Sequence, residues 1–181
     1  MKNILIINIC KEKLHYYEFV KPIEDILKNN KTGYFTKHYK KISNKDLKKA
    51  YKVIICGTSL FDNEFVKDKD KFKWIKKFNK PILGICGGMQ IIGLIFKEKL
   101  KKKTEIGFFK EKFNKEFLSL TNEQWVYHLH NYYIDFKKQN FGVYSKNKIA
   151  QAVKHKQKPI FGVLFHPEVR QKNLINNFIH S

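Results

Sequence analysis

The sequence predicts an α/β fold with a mostly parallel central sheet and an antiparallel portion in its C-terminal half. Three observations carry this. Short apolar runs ("ILIINIC", "YKVIICG", "PILGI") alternate with helix-periodic stretches through the first hundred residues, the order that parallel strands with crossover helices require. From about residue 104 to 165 the helical pattern gives way to aromatic strand-like segments. No repeat, low-complexity block or Pro/Gly-rich linker breaks the 181 residues, so one domain over 1–181 is expected.

Each element has its own signal. Residues 3–9 form an apolar strand. Residues 17–29 carry Phe19, Ile23, Ile26 and Leu27 at helical spacing, with Pro22 near the first turn. A weaker strand follows around 33–40. Residues 51–57 form a buried strand ending in glycine. Over 68–79, Phe72, Ile75 and Phe78 share a helical face among lysines. "PILGI" is a strand and "GGMQIIGLIF" a helix. The second half offers "EIGFFKEKF", "QWVYHLHNYYIDF", "FGVYS", "IAQAV" and "IFGVLF" as strands, and "LINNFIH" as a closing helix.

Composition narrows the function classes. A chain with 43% hydrophobic and 15% aromatic residues can bury a core. Its apolar runs fall well short of the roughly 18 residues a membrane helix needs, and the N-terminal run lacks a leader's cleavage pattern. The expected place is the cytoplasm, with no membrane partner. Three scattered cysteines, Cys10, Cys56 and Cys86, do not make a disulfide framework. The net charge is +21, yet Arg170 is the only arginine. Lysine lacks the forked guanidinium that reads phosphates and guanines in pairs, and these lysines are spread along the whole chain. That pattern argues against a nucleic-acid partner and stays compatible with an acidic protein. No phosphate-cradling or dinucleotide glycine motif occurs, so no nucleotide site is expected in this chain.

"PILGICGGMQ" places a thiol where a buried strand meets glycine. Gly84 and Gly88 lie two residues either side of Cys86, the spacing that a tight strand-to-helix turn displaying a nucleophile demands. The following helix would favour thiolate, and the Gly87 N–H would face a developing oxyanion. Such a nucleophile needs a base. "FGVLFHPEV" supplies one: His166 ends an apolar strand run, and Glu168 stands two residues on, on the same side of an extended backbone. Gly57, Cys86 and His166 each close a predicted strand, and ligands of open α/β folds gather at carboxyl strand ends.

These two segments resemble the two signatures of the class I (triad) glutamine amidotransferases. The resemblance runs over nearly the whole chain in length and element order. Within the family, "QAVKHKQKPIFGVLFHPEV" looks most like the amidotransferase subunit of archaeal GMP synthetases. It implies a flavodoxin-like three-layer domain. It also implies that Cys86 attacks the side-chain amide of L-glutamine to give a γ-glutamyl thioester and ammonia, with His166 as acid and base and Glu168 holding its ring. By the same resemblance Gly57 and Gln90 contact bound glutamine, and Leu129 and His130 take the places of a Ser-His pair that works largely through backbone. Ammonia would pass to a separate synthetase, for which GMP synthetase is the nearest resemblance, and ATP and Mg would belong to that partner.

Two departures from the family matter. Where relatives carry Gly-Gly-Pro, this chain has Gly57, Thr58 and Ser59. Thr58 would have to supply the second oxyanion N–H, and its branched side chain limits the loop. The serine of the Ser-His pair is also absent. A stand-alone γ-glutamyl thiol hydrolase and a catalytically weak regulatory homologue therefore stay open as alternatives. His128 and His130 would share a strand face, but no third ligand is recognisable near them, so no metal site is expected.

Overall fold

The structure is a computed structural model that describes residues 2–137 and 139–181. Its chain runs β1 (Asn3–Asn8), α1 (Lys13–Phe19), α2 (Lys21–Asn29), β2 (Tyr34–His38), α3 (Asn44–Lys49), β3 (Ala50–Ile55), α4 (Glu64–Lys67), β4 (Ile82–Ile85) and α5 (Gly87–Ile95). It continues through β5 (Lys99–Lys112), β6 (Glu123–Asp135), β7 (Phe141–Val143), β8 (Ala152–His155), β9 (Ile160–Val163) and α6 (Lys172–His180). Seven strands pair in the order β2-β1-β3-β4-β9-β8-β7. The five from β2 to β9 are parallel, and β8 and β7 add antiparallel. Strands β5 and β6 form a separate long hairpin. The predicted mixed sheet is present, with its antiparallel part in the C-terminal half.

Strand alternation makes the three layers. In β1, Ile4 and Ile6 join one apolar cluster with Phe19, Ile23 and Leu27 of α1 and α2 and Leu174, Ile175 and Phe178 of α6. Leu5 and Ile7 face the other way, into a cluster with Met89, Ile91 and Ile92 of α5 and with Phe72 and Ile75. Both faces of a parallel sheet are thus covered, which is why its strands are continuously apolar. Lys52 is the exception within β3: only 1% exposed, it donates from Nζ to the Phe178 and Ile179 carbonyl oxygens at 2.7 and 2.9 Å. A cation on the last carbonyls of α6 suits the negative end of that helix.

Several boundaries differ from expectation for physical reasons. The helix expected over 17–29 is two helices that meet at Val20, with Pro22 in the first turn of α2, where its missing N–H costs nothing. The helix expected over 68–79 is a 3₁₀ segment, Lys69–Lys76. Its apolar residues are spaced by three, which fits three residues per turn better than 3.6. Helix α3 is unpredicted, although Ser43 and Asp46 form a capping box that bonds in both directions. Strand β5 starts at Lys99, since a hairpin face exposed to water accepts the lysines of "KLKKK" that look like loop.

Candidate active site

The sheet order puts the carboxyl ends of β3, β4 and β9 side by side, and Gly57, Cys86 and His166 lie just beyond them. Cys86 sits at φ +48°, ψ −105°, a conformation few residues other than glycine adopt. The surroundings hold it there. Its N–H donates to the Val163 carbonyl at 2.7 Å, and its own carbonyl accepts from Gln90 N–H at 3.0 Å to begin α5. The flanking glycines allow close approach. A Cβ on Gly84 would lie 2.6 Å from the Gly88 carbonyl carbon, and one on Gly88 only 2.3 Å from the Ile55 carbonyl oxygen. A bent, strained turn thus lifts the thiol to the end of the sheet.

His166 reaches the same point from β9. Its backbone N–H donates to the Tyr127 carbonyl at 2.9 Å, tying it to β6. The ring is 1% exposed, and its Nδ1 lies 2.7 Å from Oε1 of buried Glu168. The carboxylate can only accept there, so Nδ1 carries the proton and Nε2 is left for the thiol. Burial by itself would lower the imidazole pKa. The Glu168 carboxylate, then a Cys86 thiolate, outweigh it and raise the value well above 6.5. A Cβ on Gly57 would lie 2.5 Å from His166 Cε1 and 3.4 Å from Cys86 Cβ, so both side chains border one small space.

The other sulfurs are differently placed. Burial pushes Cys10 up to about 11 and Cys56 well above the ordinary thiol value. The cleft at the strand ends is lined by Cys86, with Gly87, Thr58, Gln90, Leu129 and His130 around it. Gly57, Gly87, Thr58, Gln90, Leu129 and His130, each singled out by the sequence, thus all gather at Cys86. The Cys86 Sγ lies 3.5 Å from the Leu129 carbonyl oxygen, so it is the Leu129 backbone that meets the thiol. Gln90 Nε2 donates to the Tyr132 carbonyl at 2.8 Å, fixing its amide at the cleft wall. The His130 side chain turns away, toward Glu105 and the Lys103 carbonyl.

The loop after β3 is held by contacts the sequence did not disclose. Thr58 Oγ1 donates to Asp62 at 2.7 Å, the Lys11 N–H donates to it at 3.1 Å, and His15 Nδ1 lies 2.7 Å away. Burial would raise the Asp62 carboxyl, but these partners hold it below the ordinary carboxylate range. Thr58 is not among the described non-glycine residues with positive φ. Across the cleft, Asn131 Nδ2 donates to the Leu60 carbonyl at 3.2 Å and joins loop to hairpin. The cavity between them is only about 20 Å³. That is room for about one water.

The structure brings Glu105 across from β5 to His128 and His130, the neighbour that local sequence did not reveal.

The family model "Glutamine amidotransferase class-I" matches residues 16–180. The chain belongs to the class I glutamine amidotransferase family. The domain is 33% identical over 143 residues to a glutamine-hydrolysing GMP synthase of Spiroplasma kunkelii, an alignment covering 71% of this chain and 27% of that protein. It spans about a quarter of the length of the curated relatives it matches. Among solved structures, a protein assigned as a GMP synthase subunit, from Thermoplasma acidophilum, superposes with TM-score 0.87 at 24% identity, covering 99% of this chain and 93% of that one. A glutamine amidotransferase from Thermotoga maritima superposes at 0.73 and 18% identity, covering 99% and 81%. At these identities the superpositions establish the fold. No helix among the described residues is long and apolar enough to cross a membrane.

Proposed function

We propose that this domain hydrolyses L-glutamine to glutamate and ammonia through Cys86, His166 and Glu168, and passes the ammonia to a synthetase. The observation that supports it best is the strained display of Cys86 at the end of β4, next to an imidazole whose far nitrogen is already engaged by Glu168. The thiolate attacks the amide carbon, and the carbonyl oxygen takes up negative charge. The backbone N–H groups of Gly87 and Thr58 receive that oxyanion. His166 Nε2 gives its proton to the departing nitrogen, so ammonia leaves and the γ-glutamyl thioester remains. The same nitrogen then takes a proton from water as the water attacks, and glutamate is released. Gln90, Gly57 and the backbone of Leu129 and His130 hold the amino-acid end.

The narrow cleft supports dependence on a partner. Glutamine enters once the loop bearing Thr58 and Leu60 separates from the strand bearing Leu129 to Tyr132. A partner docking on the loop or hairpin does this and receives the ammonia. Phe61, 88% exposed on that loop, offers apolar surface there. ATP and Mg belong to the partner, which is of the GMP synthetase kind if the resemblance extends that far.

The test is ammonia release from glutamine by the chain alone and with the ATP-dependent GMP synthetase chain of the same source. Release that rises at least tenfold with that partner, and vanishes in Cys86→Ala, supports the proposal. Full release by Cys86→Ala overturns the assignment of the nucleophile. Absence of release under both conditions overturns the activity.

A further inference from the structure

We propose that His128 Nδ1, His130 Nε2 and Glu105 Oε2 form a binding site for a divalent transition metal of the Zn²⁺ class. The backbone builds the cluster. His128 and His130 alternate onto one face of β6 and are 0% and 2% exposed. The pairing of β5 with β6 slips between Lys102 and Glu105, and this irregularity sets Glu105 opposite His130, on the same face. Gly107 stands opposite His128 at φ +113°, and Phe109 stacks on the His128 ring at 4.6 Å.

The distances suit a metal. Glu105 Oε2 lies 2.9 Å from His128 Nδ1 and 3.2 Å from His130 Nε2. With metal–ligand bonds of 2.0–2.1 Å, the edges of a tetrahedral site are about 3.3 Å. All three donor atoms lie within 4.8 Å of one another.

Buried nitrogens without hydrogen-bond partners make the case independently of distance. His130 Nδ1 faces the Lys103 carbonyl at 3.3 Å, so it is the protonated nitrogen. The His130 Nε2 is buried without a hydrogen-bond partner, 3.2 Å from a carboxylate oxygen of Glu105. A metal cation between these two atoms would satisfy both. His128 Nε2 is also buried without a hydrogen-bond partner and lies 3.6 Å from Oε1 of Glu111. When His128 binds through Nδ1, its proton moves to Nε2 and points at Glu111, so no proton is lost. His130 then gives its outer N–H to a backbone carbonyl, the support that metal-ligating histidines usually have, and the outer nitrogen of His128 faces Glu111 at 3.6 Å. The buried, otherwise unpartnered amide oxygen of Gln151 is at hand too, for its nitrogen lies 3.4 Å from Glu105 Oε2.

The experiment is Zn²⁺ and Co²⁺ titration of the full chain after exhaustive chelation, followed by a chromophoric competitor for affinity and by Co²⁺ absorption for geometry. The expected result is one saturable equivalent per chain, a tetrahedral Co²⁺ spectrum without a thiolate charge-transfer band, and at least tenfold weaker binding in Glu105→Gln. Glu105→Gln is isosteric and sits at the half-buried end of the cluster, so it keeps the test clear of folding defects in His130→Ala. Cys86→Ser is expected to bind with unchanged stoichiometry. Absence of saturable binding overturns the proposal, as does binding that Cys86→Ser abolishes and Glu105→Gln leaves intact.

Discussion

Gly57 and the His166 ring occupy adjoining space with no room for one more carbon: a Cβ at position 57 would lie 2.5 Å from Cε1 and 3.2 Å from Nδ1 of that ring. The ring cannot recoil freely, because Nδ1 is held by Glu168 and the ring is packed against Phe19 at 5.3 Å. Gly57→Ala is therefore expected to tilt the imidazole away from the thiol without unfolding the domain. A displacement of about 1 Å at a reacting group costs on the order of a hundredfold in rate. Glutaminase kcat should fall by about that factor while the far-ultraviolet circular dichroism stays unchanged. A Gly57→Ala variant with the parent kcat would show that the ring has slack.

How much of this was legible beforehand follows from how local each feature is. Cys86 with Gly84 and Gly88, and His166 with Glu168, are contiguous patterns, and each names its own turn or strand end. That β3 and β4 lie side by side follows from a right-handed crossover between consecutive strands, whereas β9 joins β4 only after α5 and the strands β5 to β8. Glu105 is different. Its place beside His130 depends on an irregularity in pairing across 25 residues of chain, and no spacing rule in the segment reports that. The ties among Thr58, Asp62, His15 and Lys11 are hidden likewise, since they join a loop to α1 through side chains distant in sequence. The capping box of Ser43 and Asp46, by contrast, is a local pattern and marks α3.

The backbone at Cys86 stores strain that can be measured. A non-glycine residue held in such a region costs of the order of 1–3 kcal/mol. Cys86→Gly removes the Cβ that causes it, offset in part by the greater freedom of glycine in the unfolded chain. The variant is expected to unfold at a higher denaturant midpoint, stabler by about 1 kcal/mol, with no glutamine hydrolysis. Cys86→Ala should lose activity equally and gain no such stability. Equal midpoints for the two variants would mean that the turn is relaxed.

The Glu168 carboxylate also sets a pH dependence. An imidazole pKa raised above 6.5 in the folded state stabilises the fold fully below that value, and the contribution disappears as pH climbs through the folded pKa. Glu168→Gln deletes the largest influence that raises it, and so lowers the imidazole pKa. The variant should be less stable than the parent by about 1–3 kcal/mol near pH 6, the range for losing a buried charged hydrogen bond. The gap should narrow steadily as pH rises. Urea unfolding of both proteins across that range measures it. A gap that widens toward alkaline pH would contradict the assignment of the proton to the imidazole.

Asn131 closes the cleft, and opening it should be the cheapest way to quicken the isolated domain. Its Nδ2 donates to the Leu60 carbonyl at 3.2 Å, and its Oδ1 accepts from Thr104 at 2.9 Å, so one amide fastens hairpin and loop together. Asn131→Ala loses both bonds and leaves the thiol, the imidazole and the Glu168 contact in place. A net loss of about 1 kcal/mol shifts a closed–open balance by roughly fivefold. Alkylation of Cys86 by iodoacetamide should accelerate by that factor at fixed pH. Glutamine turnover by the lone chain should rise in step. Addition of the synthetase partner should then stimulate the variant less than the parent, because part of the opening has already been achieved. If alkylation is unchanged, the contact between residues 60 and 131 is not what restricts entry, and the barrier lies in the Thr58–Asp62 bond on the same loop.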